Sequence, residues 1–245
     1  MKKGVQKIFS EVVETYELVN HLLTCGLDIK WRKRAARIAS QTEGDVWLDI
    51  CTGTGEMARN LDRFARGNIK IISLDFCFSM LLEARKKKIE NREISFIQSD
   101  VRFLPFNDET IDVVTISFAT RNLGLNSQAL LPYFREFWRV LKPGGNFINL
   151  ETSQPRLRII RRLLHFYARV VVRLTGSALS GSKSGYAYLS YTIPRFIPAR
   201  ELKLTLGEAG FISVRMFRLF LGIAYIHIAQ KKGSGFSPNF ADFFD

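Results

Sequence analysis

Leu48-Asp49-Ile50-Cys51-Thr52-Gly53-Thr54-Gly55-Glu56 decides the fold. An apolar, β-rich run from Val46 to Cys51 passes straight into a Gly-x-Gly turn, and Glu56 to Arg66 has the pattern of a helix. Outward from there, strands and helices alternate. Ile69–Leu74 is a second strand, Phe78–Ile89 a helix, Ile94–Ile97 a third strand and Ile111–Ser117 a fourth. A helix over Ser127–Leu141 stops at Pro143-Gly144-Gly145, and Phe147–Leu150 is a fifth strand. Continuous apolar strands separated by helix-length segments predict a parallel sheet covered on both faces. After Pro198 come a helix (Ala199–Ala209) and two strands, around Ser213–Phe217 and Ala224–Ala229. The expected fold is α/β, a Rossmann-like doubly wound sheet of about seven strands. Residues 1–232 form one domain: a helical cap (1–40), a cofactor-binding half (45–153), an insertion (154–197) and the closing unit (198–232), with a tail over 233–245. In the cap, Ile8, Val12, Val13, Tyr16, Val19 and Leu23 recur at spacings of three and four, and Gly26 ends the run.

The turn at Gly53, Thr54 and Gly55 suits a ligand that approaches the backbone closely, because a side chain would block it and such turns use φ > 0. Asp75 ends the second strand, 20 residues beyond Gly55, where a carboxylate can accept from both hydroxyls of a ribose. Gly53 to Ala58 also satisfies the dinucleotide pattern GxGxxA, so a nicotinamide oxidoreductase is a rival reading. Three features favour S-adenosyl-L-methionine. Asp49 precedes the glycines, where a carboxylate would repel a pyrophosphate but attract a cationic amino-acid moiety. Asp100, with Val101 beside it, ends the third strand within reach of an adenine amino group. Ser117 ends the fourth strand, beside the point where strand order should reverse.

The chain has 245 residues, 47% of them hydrophobic, enough for a substantial core. Its longest charge-free apolar run, Leu219–Gln230, is far short of the ~20 residues of a spanning helix. No secretory signal is visible, and Cys25, Cys51 and Cys77 form no CxxC pair, so a reducing, cytoplasmic setting is expected without disulfide or zinc. No His/Asp/Glu cluster has metal-ligand spacing, and no metal is expected. The net charge of +13 suits a polyanionic partner, nucleic acid or anionic lipid.

Further motifs carry a resemblance. Tyr16-Glu17-Leu18-Val19-Asn20-His21-Leu22-Leu23-Thr24-Cys25-Gly26-Leu27-Asp28-Ile29-Lys30-Trp31 resembles the first signature of the ubiquinone/menaquinone biosynthesis C-methyltransferases. Arg139-Val140-Leu141-Lys142-Pro143-Gly144-Gly145, continuing to Glu151-Thr152-Ser153, resembles the second. Ile116-Ser117-Phe118-Ala119-Thr120-Arg121-Asn122 and Leu104-Pro105-Phe106 are similar to two more motifs, in the family's order. Glu17-Leu18-Val19 stands where the family usually has Asp-x-Met, and Leu189-Ser190-Tyr191 replaces part of the acceptor-side sequence. The resemblance implies methyl transfer from S-adenosyl-L-methionine to a ring carbon of a polyprenyl quinol or similar apolar phenol, demethylmenaquinol foremost. It implies that Arg121 and Asn122 face the acceptor, with Tyr16 and Asn20 closing over it. His21 is the only histidine in these motifs, and histidine is the side chain best suited to acid–base work; an ordinary helix position explains it equally well. His165 and His227 read as structural or surface groups.

From Thr152 to Arg200 there is no acid but nine basic residues. Leu157–Leu174 has helical character, with Arg158, Arg161, Arg162, His165, Arg169 and Arg173 in one sector and apolar residues over most of the rest. The 156–173 segment therefore reads as a helix for an anionic membrane surface, peripheral at the inner face of the cell membrane. A core-packed helix with a basic exposed face is the alternative. An RNA or DNA methyltransferase is the less favoured reading. Ser117-Phe118-Ala119-Thr120 stands where base-methylating enzymes carry Asn/Asp-Pro-Pro-aromatic, and no stacking platform accompanies the charge. A second copy of the chain is carried as a further partner.

Overall fold

The computed structural model describes residues 3–87, 89, 91–180 and 183–233; the expected tail falls outside them, apart from Gly233. Three helices open the chain: α1 (Lys3–Val12), α2 (Tyr16–Leu23) and α3 (Leu27–Ala39). The alternating unit follows: β1 (Val46–Ile50), α4 (Glu56–Phe64), β2 (Lys70–Asp75), α5 (Phe78–Lys86), β3 (Ile94–Gln98) and β4 (Ile111–Ser117). Next come α6 (Thr120–Leu123), α7 (Ser127–Val140) and β5 (Leu141–Thr152). The insertion holds α8 (Arg158–Tyr167), a π-helical turn (Ala168–Val172), α9 (Arg173–Ser180) and α10 (Lys183–Thr192). The chain closes with α11 (Ala199–Glu208), β6 (Ile212–Leu219) and β7 (Ala224–Gln230).

The seven strands lie in the order β3-β2-β1-β4-β5-β7-β6, with β7 antiparallel to both neighbours and the other pairings parallel. Strand order reverses between β1 and β4, so the loops after these two strands flank the crevice where doubly wound sheets bind ligands. Alternation along each strand divides the core into two layers. Leu48, Ile50, Val114 and Phe147 pack with α7 and α11 on one face, while Trp47, Val113 and Ile148 pack with α3 and α4 on the other.

Three features differ from expectation. Pro143-Gly144-Gly145 does not separate a helix from a strand: α7 runs directly into β5. Leu141 pairs with Ile111 and the next pairing is Asn146 with Val113, so residues 142–145 bulge from the ladder. Gly144 has φ +83, and a Cβ on Gly145 would lie 2.9 Å from the Asp112 carbonyl oxygen, so the bulge demands glycine. Second, α6 was not legible, because four residues are too few to display a period. Third, the single helix expected over Leu157–Leu174 is interrupted by the π turn, and its apolar residues do not share one environment. Leu164, Ala168 and Val172 are buried, whereas Ile159, Leu163 and Phe166 are exposed.

Candidate active site

The glycine turn sits at the carboxyl end of β1. Cys51, Gly53 and Gly55 all have positive φ, and Thr52 N donates to the Leu74 carbonyl of β2. The two glycines serve different purposes. A Cβ on Gly53 would meet nothing within 4 Å, so this residue leaves open space over the backbone, whereas a Cβ on Gly55 would press on Ala84 of α5 at 3.0 Å. The cleft above the turn, about 560 Å3 and open to solvent, is lined by Gly53, Thr54, Asp75, Ser117 and Asn122 among others.

Asp75 is the carboxylate of this cleft. One oxygen accepts from Gly53 N at 2.9 Å and the other from Cys77 N at 2.8 Å. Each oxygen retains capacity for one more donor, the requirement for gripping two vicinal hydroxyls. Burial pushes its pKa up to about 6, against backbone hydrogen bonds that lower it.

The structure does not bring Asp49 to the cleft. Its carboxylate is fully buried and accepts from Thr52 Oγ1 at 2.5 Å and Thr115 Oγ1 at 2.7 Å, so it braces the base of the turn against β4. Burial raises its pKa to about 7. Because successive strand residues face opposite ways, no side chain within β1 can be assigned to the ligand from its proximity to the glycines alone. Asp100 and Val101 are also absent from the lining. Val101 packs in the core, and Asp100 accepts from Arg102 N at 3.0 Å and Arg102 Nη2 at 2.9 Å. Partial burial raises the Asp100 pKa, but it is held at about 2, with the bonds from Arg102 among the contacts that lower it. Gly55 sits behind the lining, against α5.

A second, more apolar cleft of about 740 Å3 adjoins the first and shares Tyr16 and Arg32 with it. Asn20, Phe118 and Arg121 reach it from the cap and the β4–α6 segment, and Leu164, Ala168 and Val172 wall it from the insertion. Arg121 is buried at the start of α6. Its Nη1 donates to Glu151 Oε1 at 2.5 Å and its backbone N to Glu151 Oε2 at 3.2 Å; Thr152 supplies two more donors to the same carboxylate. Arg121 Nε and Asn122 Oδ1 are buried without a hydrogen-bond partner. A buried polar atom left open is costly; Arg121 lines the apolar cleft and Asn122 the polar one. Tyr16 is half-buried; burial raises its pKa against Arg121 and Arg32, which lower it, and Asn20 hydrogen-bonds to it.

His21 lines neither cleft. Its Nδ1 lies 2.8 Å from Asp28 and its Nε2 3.3 Å from Glu56, tying α2 to α3 and α4. The fold also gathers Glu17, His21 and Glu56, whose ligand atoms all lie within 4.8 Å of one another, a grouping that spacing in the sequence concealed. Cations already compensate its carboxylates, Arg32 at 3.2 Å from Glu56 and Lys87 on Glu17, so it is an ion-pair network. Glu17 also accepts from Thr54 Oγ1, which latches the cap onto the glycine turn. His227 is buried rather than on the surface. It pairs with the Ala199 carbonyl and Asn149, Thr120 donates to Asn149, and burial lowers its pKa to about 4, keeping it neutral.

Residues that sequence reasoning overlooked include Arg32, Glu56 and Glu151. The i, i+4 pair Asp28/Arg32 and the acid directly after Gly55 were visible signals. Glu151 lay within a quoted motif, yet nothing local linked it to Arg121, 30 residues away.

The family model of the ubiE/COQ5 methyltransferases matches residues 1–231. The chain belongs to that family. A demethylmenaquinone methyltransferase of Thermus thermophilus is 36% identical over 225 residues, covering 91% of this chain and 100% of its own. One from Staphylococcus aureus is 32% identical over 231 residues, 94% of each chain. Two solved structures share the fold. A SAM-dependent methyltransferase of Aquifex aeolicus has a TM-score of 0.55 at 18% identity, covering 81% of this chain and 88% of that one. A putative methyltransferase of Bacillus halodurans has 0.59 at 18%, covering 82% and 98%. As a methyltransferase of the ubiE/COQ5 family, the chain has to seat a methyl donor and an acceptor side by side, and its two clefts adjoin at Tyr16 and Arg32.

Proposed function

We propose that this enzyme methylates a ring carbon of a polyprenyl quinol, demethylmenaquinol yielding menaquinol, with S-adenosyl-L-methionine as methyl donor. The observation that carries the reading is the junction of the clefts at Tyr16 and Arg32, with Arg121 lining one and Asn122 the other, each holding a buried polar atom without a partner. The names of the two relatives support demethylmenaquinone as the oxidised acceptor precursor. The polar cleft fits the donor: Asp75 takes the ribose hydroxyls and Gly53 leaves the backbone bare. When bound, the donor supplies an electrophilic methyl group on a sulfonium.

The chain's own residues then have three tasks. Apolar walls from Phe118, Leu164 and Val172 exclude water around the ring. Tyr16 and Asn20 orient it from the cap. Arg121 lines the acceptor cleft, and its guanidinium stabilises the phenolate that makes the ring carbon nucleophilic. The phenolic proton leaves to water at the cleft mouth; once the new C–C bond has formed at the expense of the donor's S–CH3 bond, the ring carbon loses its hydrogen as a proton and the oxygen regains one, so the quinol is restored with a net release of one proton. Positioning and charge stabilisation supply most of the acceleration in this scheme.

The proposal extends to location, the cytoplasmic face of an anionic membrane held by the basic insertion. None of the described helices is long and apolar enough to cross a membrane. The test is methyl transfer with purified protein on demethylmenaquinol and on its benzoquinol counterpart, alongside calorimetric titrations with S-adenosyl-L-methionine and NADH. Turnover of demethylmenaquinol with no heat from NADH supports the reading; no transfer to either quinol rejects it.

A further inference from the structure

Helix α8 and the π turn that extends it present three faces. Leu164, Ala168 and Val172 point inward and wall the apolar cleft. Arg158, Arg162, Arg169 and Arg173 are exposed. Beside that basic face runs a second exposed stripe, Ile159 at 70%, Leu163 and Phe166 at 62% each and Val170 at 37%. At an ideal helical turn these four fall within an arc of about 60°. A face that met only water would not need an aligned row of large apolar side chains. Apolar and basic stripes side by side match the boundary of an anionic bilayer, where alkyl side chains enter the acyl region and guanidinium groups meet the phosphates. The charge agrees over the whole segment, because no acid occurs between Glu151 and Glu201.

We infer that α8 lies in the plane of an anionic lipid surface with Ile159, Leu163, Phe166 and Val170 inserted, and that the acceptor passes from the bilayer into the apolar cleft along this same helix. The second half rests on the reading of the acceptor as a prenylated quinol. One helix thus serves as anchor on its outer side and as cleft wall on its inner side, with no separate membrane domain. The π turn falls where Ala168 and Val172 line the cleft. Such a widened turn is a common feature of functional sites.

The test is the double variant Leu163→Gln/Phe166→Gln, whose side chains lie outside both clefts. Wild type and variant are compared for co-sedimentation with phosphatidylglycerol/phosphatidylcholine vesicles. Turnover is compared on long-chain demethylmenaquinol in those vesicles and on a short-chain, water-soluble analogue. The expected result is vesicle partitioning about tenfold or more weaker, a parallel loss of long-chain turnover, and unchanged short-chain turnover. Equal sedimentation of the two proteins overturns the inference, as does equal long-chain turnover. So does a drop on both acceptors alike, or a wild-type dimer that the variant dissolves, or a wild-type preference for RNA over vesicles. If the wild type methylates neither quinol, the proposed reaction fails instead, and the sedimentation comparison still decides whether the stripe docks on lipid.

Discussion

Replacing Asp75 by Asn tests the donor site through its charge. In the wild type, each carboxylate oxygen already accepts one backbone N–H, from Gly53 or Cys77, and the carboxylate lines the cleft. A hydrogen bond to a charged acceptor is worth about 1.5–3 kcal/mol and one to a neutral acceptor about 0.5–1.5. Losing the charge across two ribose hydroxyls therefore costs about 2–3 kcal/mol, or about 30- to 150-fold in Kd. The pH dependence gives a sharper signature. Burial holds the group's pKa at about 6, and the ionised form binds the hydroxyls. Affinity is accordingly full above pH 7 and weakens by about tenfold between pH 7 and pH 5, as the ionised fraction falls. Asparagine has no such titration. Calorimetry of S-adenosyl-L-methionine binding from pH 5 to 8, wild type against Asp75→Asn, separates this group from others that titrate in both proteins. A wild-type pH profile parallel to that of the variant would refute the assignment, however weak the variant's binding.

Glu151→Ala strands the buried Arg121 guanidinium and should destabilise the fold by about 3–5 kcal/mol, read from urea unfolding midpoints; an unchanged midpoint would show that the pair is not held as described. Arg121→Ala should lower turnover far more than donor affinity, since Arg121 lines the acceptor cleft and not the donor cleft; Tyr16→Phe should do the same because it keeps the ring shared by both clefts and removes only the hydroxyl; parallel loss of both properties in either variant would remove that residue from its proposed role. Neutralising Arg158, Arg161, Arg162 and Arg169 together should weaken binding to anionic vesicles by about 1 kcal/mol per residue near the surface, with the effect shrinking as salt rises. Co-sedimentation at low and high salt checks this, and salt-independent binding by both proteins would contradict it.

The sheet was legible because its central strands are buried on both faces and so read as unbroken apolar runs between turn signals. β4 was anticipated to the residue, Ile111–Ser117. The place of Asp75 in the cleft lining was readable as well, since it ends β2, which pairs directly with β1 and its glycine turn. Asp49 illustrates the limit: its partners, Thr52 and Thr115, are supplied by the turn and by β4. Pairing across 66 residues leaves no local trace. His21 fails for a related reason, because its direction depends on how α2 packs against α3 and α4. The helical wheel of the insertion separated arginines from apolar residues correctly. It could not divide the apolar arc into an inner face on the cleft and an outer face in solvent, a division set by packing against α2 and α10.

Carbon methylation is the central claim, and a carbon-13 label decides it. The purified enzyme would be given S-adenosyl-L-methionine labelled in its methyl group together with demethylmenaquinol, and the product examined by carbon-13 NMR. The account predicts one new signal in the range of a methyl on an aromatic ring carbon, in a product that oxidises to menaquinone. A labelled signal in the methoxy range, or no labelled quinone at all, would contradict it.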